Sequence, residues 1–252
     1  MTVSDHLGDT GGAAPSPVEA TRPGPDPSWR GLYTAGGIAA FLYILLALVV
    51  PGLLFMGKTV ITKMDATAML GYIAEHRTWY VVLQSLVLET SILAIVTFAA
   101  LFAALKHLNK GLAAVGALVT ITCQILFMAY YPVLLGLVRL SDLYKTAAGA
   151  QRGALAAGAE ALLAQNNAFN PVYESLFAAG ILILSLVMLK GAFPRWVAYL
   201  GIATFPACVA AMALWPLIGL NYFWWWVFFT VWFVAAGWKL VRLGRETSIS
   251  RI

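Results

Sequence analysis

The chain has 252 residues, 61% of them hydrophobic and 11% charged, with a mean hydropathy of +0.83. Soluble domains run nearer half apolar and a quarter charged, so this balance excludes an ordinary soluble domain and points to a polytopic membrane protein. In a soluble protein the net charge of +5 would suggest an acidic partner, but here the basic residues sit at the ends of apolar runs, which assigns them to membrane orientation and argues against nucleic-acid binding.

Residues 1–29 are rich in Gly, Pro and Ala and carry Asp5, Asp9, Glu19 and Asp26, with too little apolar surface to order themselves. They read as a disordered cytoplasmic tail, and their acidic residues are wrong for a cleavable signal peptide. The apolar runs that follow predict six membrane spans, at about 32–56, 79–105, 112–138, 171–189, 196–218 and 222–240, since some 20 apolar residues cover a hydrocarbon layer of roughly 30 Å. Gly36 and Ala40 form a small-residue patch in the first span, and Ala203, Ala207 and Ala211 repeat the pattern in the fifth.

The short charged turn from Lys106 to Lys110 forces the second and third spans to run antiparallel. Between the third and fourth spans, residues 141–170 place Leu155, Ala159, Leu162 and Leu163 at helical spacing, so one amphipathic surface helix is expected there, ended by Asn166, Asn167 and Asn170. The fold class is therefore all-α, a polytopic six-transmembrane-helix bundle, with a membrane domain over 30–242 and a basic cytoplasmic tail over 243–252. If both termini are cytoplasmic, ten Lys and Arg near span ends fall inside and six outside, the bias that sets topology.

Two residue patterns lose their chemical reading on inspection. Gly52, Gly57, Lys58 and Thr59 fit the spacing of a phosphate-binding loop, but that loop works only between a strand and a helix, and here the intervening residues finish a membrane span. Cys123 and Cys208 lie inside apolar runs and His6, His76 and His107 stand far apart, so neither a disulfide nor a metal site is expected, and no cofactor is implied.

Glu89 and Glu174 are the acids within the spans, and apart from Lys239 at the very end of the sixth no Lys or Arg accompanies them there. A charged side chain at the centre of a bilayer costs on the order of 2.5 to 3.5 kcal/mol on insertion scales, so such groups face a bundle interior. Glu89 near the middle of the second span and Glu174 one turn into the fourth are expected to share a polar, outward-leaning ligand pocket with Gln84, Gln124, Tyr130 and Tyr131. The face carrying Ser85, Glu89, Val96, Ala99 and Ala103 is expected to meet the face carrying Glu174, Ala178, Ile181 and Ser185. Pro132 and Pro206 free backbone carbonyls of the kind that line cavities.

The segments Trp29–Tyr43 (WRGLYTAGGIAAFLY), Ala104–Gly111 (ALKHLNKG) and Ser185–Thr204 (SLVMLKGAFPRWVAYLGIAT) resemble the large family of bacterial six-span proteins catalogued as domain of unknown function 4386. That resemblance covers residues 29–242, implies a six-helix bundle in a bacterial plasma membrane, and carries no activity, cofactor or site. Three functions are compatible with the residues: binding or transport of a small or lipophilic ligand in the bilayer, a membrane enzyme acting on an isoprenoid or acyl chain with a glutamate as general acid, and a structural helper subunit. The first is preferred, although the six spans show no internal repeat of the kind many transporters carry.

Overall fold

A computed structural model describes residues 24–56, 65–130, 132–191, 193–218 and 224–249, the side chains of 50–56, 215–218 and 247–249 excepted. Residues 1–23 of the expected tail, Gly57, Lys58 and Thr59 of the discarded loop pattern, and Tyr131 lie outside the described residues. Among the described residues, after a short 3-10 turn at Pro27–Trp29, eight helices follow: α1 (Arg30–Met56), α2 (Ala66–Glu75), α3 (Arg77–Leu105), α4 (Lys110–Tyr130), α5 (Val133–Thr146), α6 (Ala150–Met188), α7 (Arg195–Ile218) and α8 (Trp225–Ile249). There is no strand among the described residues. Six helical stretches among the described residues are long and apolar enough to cross a membrane, and the protein is an all-α, multi-pass bundle.

The six long helices close into a ring in which α1 packs on α3, α3 on α4, α4 on α6, α6 on α7, α7 on α8 and α8 back on α1. Successive spans run antiparallel, so the start of α1, the end of α8 and the tight α3–α4 and α6–α7 turns share one end, called the terminal end. The opposite, far end carries α2 and α5. Within a bilayer, helices gain little from the hydrophobic effect, and close approach and hydrogen bonds take its place. Small residues supply that approach. A Cβ on Gly37 would stand 2.6 Å from the carbonyl of Gly237 across the α1–α8 seam, and one on Gly180 would meet Thr120 across the α4–α6 seam. Thr97 Oγ1 of α3 donates to the Gly36 carbonyl of α1 at 3.0 Å. The Gly36–Ala40 patch thus serves two neighbours, Gly36 facing Ala100 of α3 and Ala40 facing Gly237 of α8. Aromatic rings fill the centre of the ring of helices: Phe98 meets Phe177 edge-on at 5.5 Å, and Tyr43 meets Phe229 at 5.8 Å.

The far end has a second, separate core of Met69, Leu70, Ile73, Tyr80, Leu134, Leu137, Val138 and Ala159. Asp65 starts α2 by accepting from the Ala68 N–H at 2.6 Å. Tyr80 donates to the Leu134 carbonyl at 3.1 Å, and Ser141 donates to the Leu70 carbonyl at 2.8 Å. These bonds fasten α2, α5 and the start of α3 into a cap.

Two boundaries differ from the sequence reading. The run at 112–138 is divided between α4 and α5, because Pro132 has no N–H to continue the helix and stands as the N-cap of α5. The amphipathic stretch is present but continuous with the following span, since α6 runs 39 residues straight through Pro171. The chain past the Asn residues stays helical because Pro171 forfeits one hydrogen bond, at the carbonyl of Asn167, while packing on α4, α5 and α2 holds both halves in line.

Candidate functional site

The long helices begin or end together at the terminal end, so depth follows from counting at about 1.5 Å per residue. Tyr43 stands 13 residues from Arg30, Gln124 14 from Lys110, Glu174 14 from Met188, and Cys208 13 from Arg195. All four therefore lie at one level, about 20 Å from the terminal end and about 10 Å short of the far face of a 30 Å layer.

Glu174 is 95% buried at that level, with a relative exposure of 5%. Its position follows from the heptad-like run of buried residues on α6, where Phe177, Ala178, Ile181, Leu184 and Ser185 face the bundle and Glu174 stands one turn before Ala178. The carboxyl lies beside the indoles of Trp225 and Trp226 on α8. Neither indole reaches hydrogen-bond geometry: Glu174 Oε2, Trp225 Nε1 and Trp226 Nε1 are all buried without a partner. Tyr43 of α1, Tyr173 of α6 and Cys208 of α7 are within electrostatic reach of the acid. Four helices thus converge on one acid. Two N–H donors and one carboxylate oxygen, all without partners in a low-dielectric interior, form an incomplete polar set of the kind that folded interiors rarely leave.

Gln124 belongs to the same level. It is buried on α4, and its Nε2 donates to the Tyr173 hydroxyl at 2.9 Å. Above it, toward the far end, Tyr130 stacks on Phe169 at 4.1 Å, and its buried hydroxyl has no partner. Phe169, Tyr173 and Phe177 recur every fourth residue of α6 and lie nearly parallel, 6.0 and 5.8 Å apart. This file of rings descends from the far end past the acid into the core.

Glu89 does not join this site. Its side chain is exposed, as is that of Ser85, so the expected face of Ser85, Glu89 and Val96 does not meet α6. The buried face of α3 runs instead through Leu83, Ser91, Ala94, Phe98 and Leu101. Glu89 precedes Ser91 by two residues, about 200° around the helix, and therefore points outward. It is also shallower than mid-span. The first turns of α3 belong to the far-end cap, so Glu89 stands about 24 Å from Leu105, close to the far interface where a carboxylate is tolerated. Gln84 is half-buried beside Tyr80 in the cap, one level above the acid. Of the expected pocket, Gln124 shares the level of Glu174 and is joined to it only through Tyr173, Tyr130 stacks on Phe169 farther toward the far end, Glu89 and Gln84 stand apart, and Tyr131 is outside the described residues.

The residues missed were Tyr43, Tyr173, Trp225 and Trp226. The tryptophans look like an interfacial belt in sequence, and only helix rotation turns Trp225 fully inward. The four-residue repeat Phe169, Tyr173, Phe177 was the available signal. No group of three or more His, Cys, Asp or Glu able to hold a metal occurs among the described residues, and Cys123 and Cys208 are free and buried.

The family model described as Domain of unknown function (DUF4386) matches residues 38–243, most of the chain and every helix of the ring. The chain belongs to this family. No curated protein and no solved structure matches it. As a DUF4386 protein it comes with a helical membrane architecture and no assigned chemistry, so its function must be argued from the Glu174 site.

Proposed function

We propose that this protein binds a small lipophilic ligand inside its membrane bundle, with the Glu174 carboxyl as the recognising group. One observation carries the reading: a nine-tenths-buried carboxyl and two indole N–H groups lie side by side with no well-formed hydrogen bond closed between them. Buried polar groups left unpaired cost on the order of 1–3 kcal/mol each, and a ligand that pairs the acid recovers part of that energy on binding. Packing glue alone would favour a completed set, as at Thr97 and Gly36. In this proposal the bilayer is a bacterial plasma membrane with both termini cytoplasmic, the orientation favoured by ten basic residues against six. The Glu174 site then leans toward the outer face, and whether the ligand is carried across or only held depends on its release to the other side.

The test is native mass spectrometry of the protein extracted in its own lipid. Wild type and Glu89→Gln are expected to carry the same non-lipid small molecule, and Glu174→Gln to lose it. Identical spectra for all three, in proteins of equal helicity and melting temperature, would overturn the proposal.

A further inference from the structure

The ligand class is legible in what surrounds the acid. Among the described residues no Lys or Arg acts on the Glu174 carboxyl: Lys190 stands 16 residues on, just past the end of α6, Arg152 is 22 residues back along α6, and on α8 Lys239 stands 13 residues from Trp226, about 20 Å along that helix. The walls are aromatic. Phe229 lies 5.2 Å from Trp226, 5.4 Å from Phe177 and 5.8 Å from Tyr43, ring centre to ring centre. Aromatic faces with a carboxylate in a desolvated space attract an organic ammonium, through the ring quadrupoles and through charge. An anion gains nothing from the ring faces, and a neutral alcohol pairs the polar groups without engaging them.

A second feature stands on the same helix. Between α2 and the first half of α6 lies a cleft of about 550 Å³, lined by Asp65, Thr67, Glu160, Asn167 and apolar residues including Ala156 and Leu163, with no Lys or Arg among the described residues of its walls. It is acidic on a protein whose net charge is +5. Because α6 is unbroken, Glu160, Asn167 and Glu174 follow one another at seven-residue spacing. That spacing sets them about 10.5 Å apart and within about 40° of one line along the helix. The polar stripe leads from the open cleft to the buried carboxyl. The nearest cation on this part of α6, Arg152, is turned to the Tyr144 ring at 4.5 Å.

We infer that the ligand of the Glu174 site is a lipophilic monocation, an ammonium group on an apolar body, and that it arrives through the α2–α6 cleft. This rests on the binding role proposed above. Asp65 and Glu160 concentrate and orient the cation, as like-signed clefts do for their ligands, and Glu174 with the aromatic walls holds it.

The experiment uses full-length protein in lipid nanodiscs, tryptophan fluorescence as readout because Trp225 and Trp226 flank the acid, and three probes of equal chain length: hexylammonium, hexanol and hexanoate. The cation is expected to bind and the others not, with affinity lowered about tenfold or more in Glu174→Gln. Glu160→Gln and Asp65→Asn are expected to slow association about threefold in stopped flow while leaving dissociation unchanged. Glu160 is exposed, so its variant tests the cleft without threatening the fold. If hexanol binds as tightly as the cation and still depends on Glu174, the cationic class falls and the binding role stands. If no probe binds and Glu174→Gln retains its co-purified molecule, both fall. Association unchanged in the two cleft variants overturns the route alone.

Discussion

Gln124 donates its side-chain N–H to the hydroxyl of Tyr173 at 2.9 Å, joining α4 to α6 one residue from the acid that defines the candidate site. The bond fixes the rotation of α6 at the level where Glu174 turns toward Trp225 and Trp226. Interhelical hydrogen bonds in membranes contribute about 0.6 to 2 kcal/mol. A double-mutant cycle of Gln124→Leu and Tyr173→Phe, measured by reversible unfolding in bicelles, is expected to give a coupling in that range. Because the bond also positions the site, both single variants are expected to weaken binding of the ammonium probe by a similar factor.

The seams depend on glycine, and the dependence is local. A Cβ on Gly37 would sit 2.5 Å from Val241 Cγ2 and 2.6 Å from the Gly237 carbonyl, whereas a Cβ on Gly71 of α2 meets nothing within 4 Å. Overpacking of this kind costs about 1–3 kcal/mol, and backbone atoms on the partner helix leave little room to relax. Gly37→Ala is therefore expected to lower the melting temperature measurably. Gly71→Ala is expected to raise it slightly, since alanine is favoured over glycine by up to about 1 kcal/mol inside a helix.

Glu89 supplies the contrast with Glu174. Its side chain is exposed and lies outside the converging cluster, so replacing it removes no internal partner. Glu89→Leu is expected to change stability by no more than about 0.5 kcal/mol, as substitutions away from buried networks do, and to leave probe binding intact. Glu174→Leu fills the same helix position with a residue that cannot pair the indoles, and is expected to abolish binding. Membrane abundance and fluorescence titration of the two variants side by side decide between them.

The spans were legible because their length and composition admit one solution, and Glu174 and Gln124 were legible because polar residues are rare in such runs. Rotation was not. Starting the helical wheel of α3 at Ser85 put Glu89 inside, whereas the Leu83, Ser91, Ala94 and Phe98 series actually faces the ring, and both series satisfy the same period when nearly every residue is apolar. The far-end cap was hidden for the opposite reason: Met69, Leu70 and Ile73 form a buried face only three residues wide, too short to announce itself. Pro171 misled most plainly. A proline after three nearby asparagines reads as a helix boundary, and the packing of α6 on its neighbours overrides it, which is what joins Glu160 to Glu174 on one axis.

The α3–α4 turn at the terminal end carries a titration of its own. His107 is half-buried there with Nδ1 enclosed and unpaired, and burial lowers its pKa from the ordinary 6.5, opposed in part by the Ala104 carbonyl. The folded protein therefore resists protonation of a ring that the unfolded chain protonates readily. A depressed histidine of this kind contributes stability in full above about pH 6.5 and loses it as pH falls from there through the folded value. Asp26, which accepts from the Ser28 N–H at 2.9 Å and bridges to Lys106 at 3.9 Å, is held below its ordinary 3.8 chiefly by the Ser28 backbone hydrogen bond. Its contribution is present above about that pH and is lost only under stronger acid, so the two windows do not overlap. Wild-type protein is expected to lose melting temperature between about pH 7 and pH 5, and His107→Gln to flatten that decline while leaving the steeper loss below about pH 4 in place. Melting curves of both proteins in nanodiscs across the range measure it, and a decline equally steep in the variant would remove His107 as its cause.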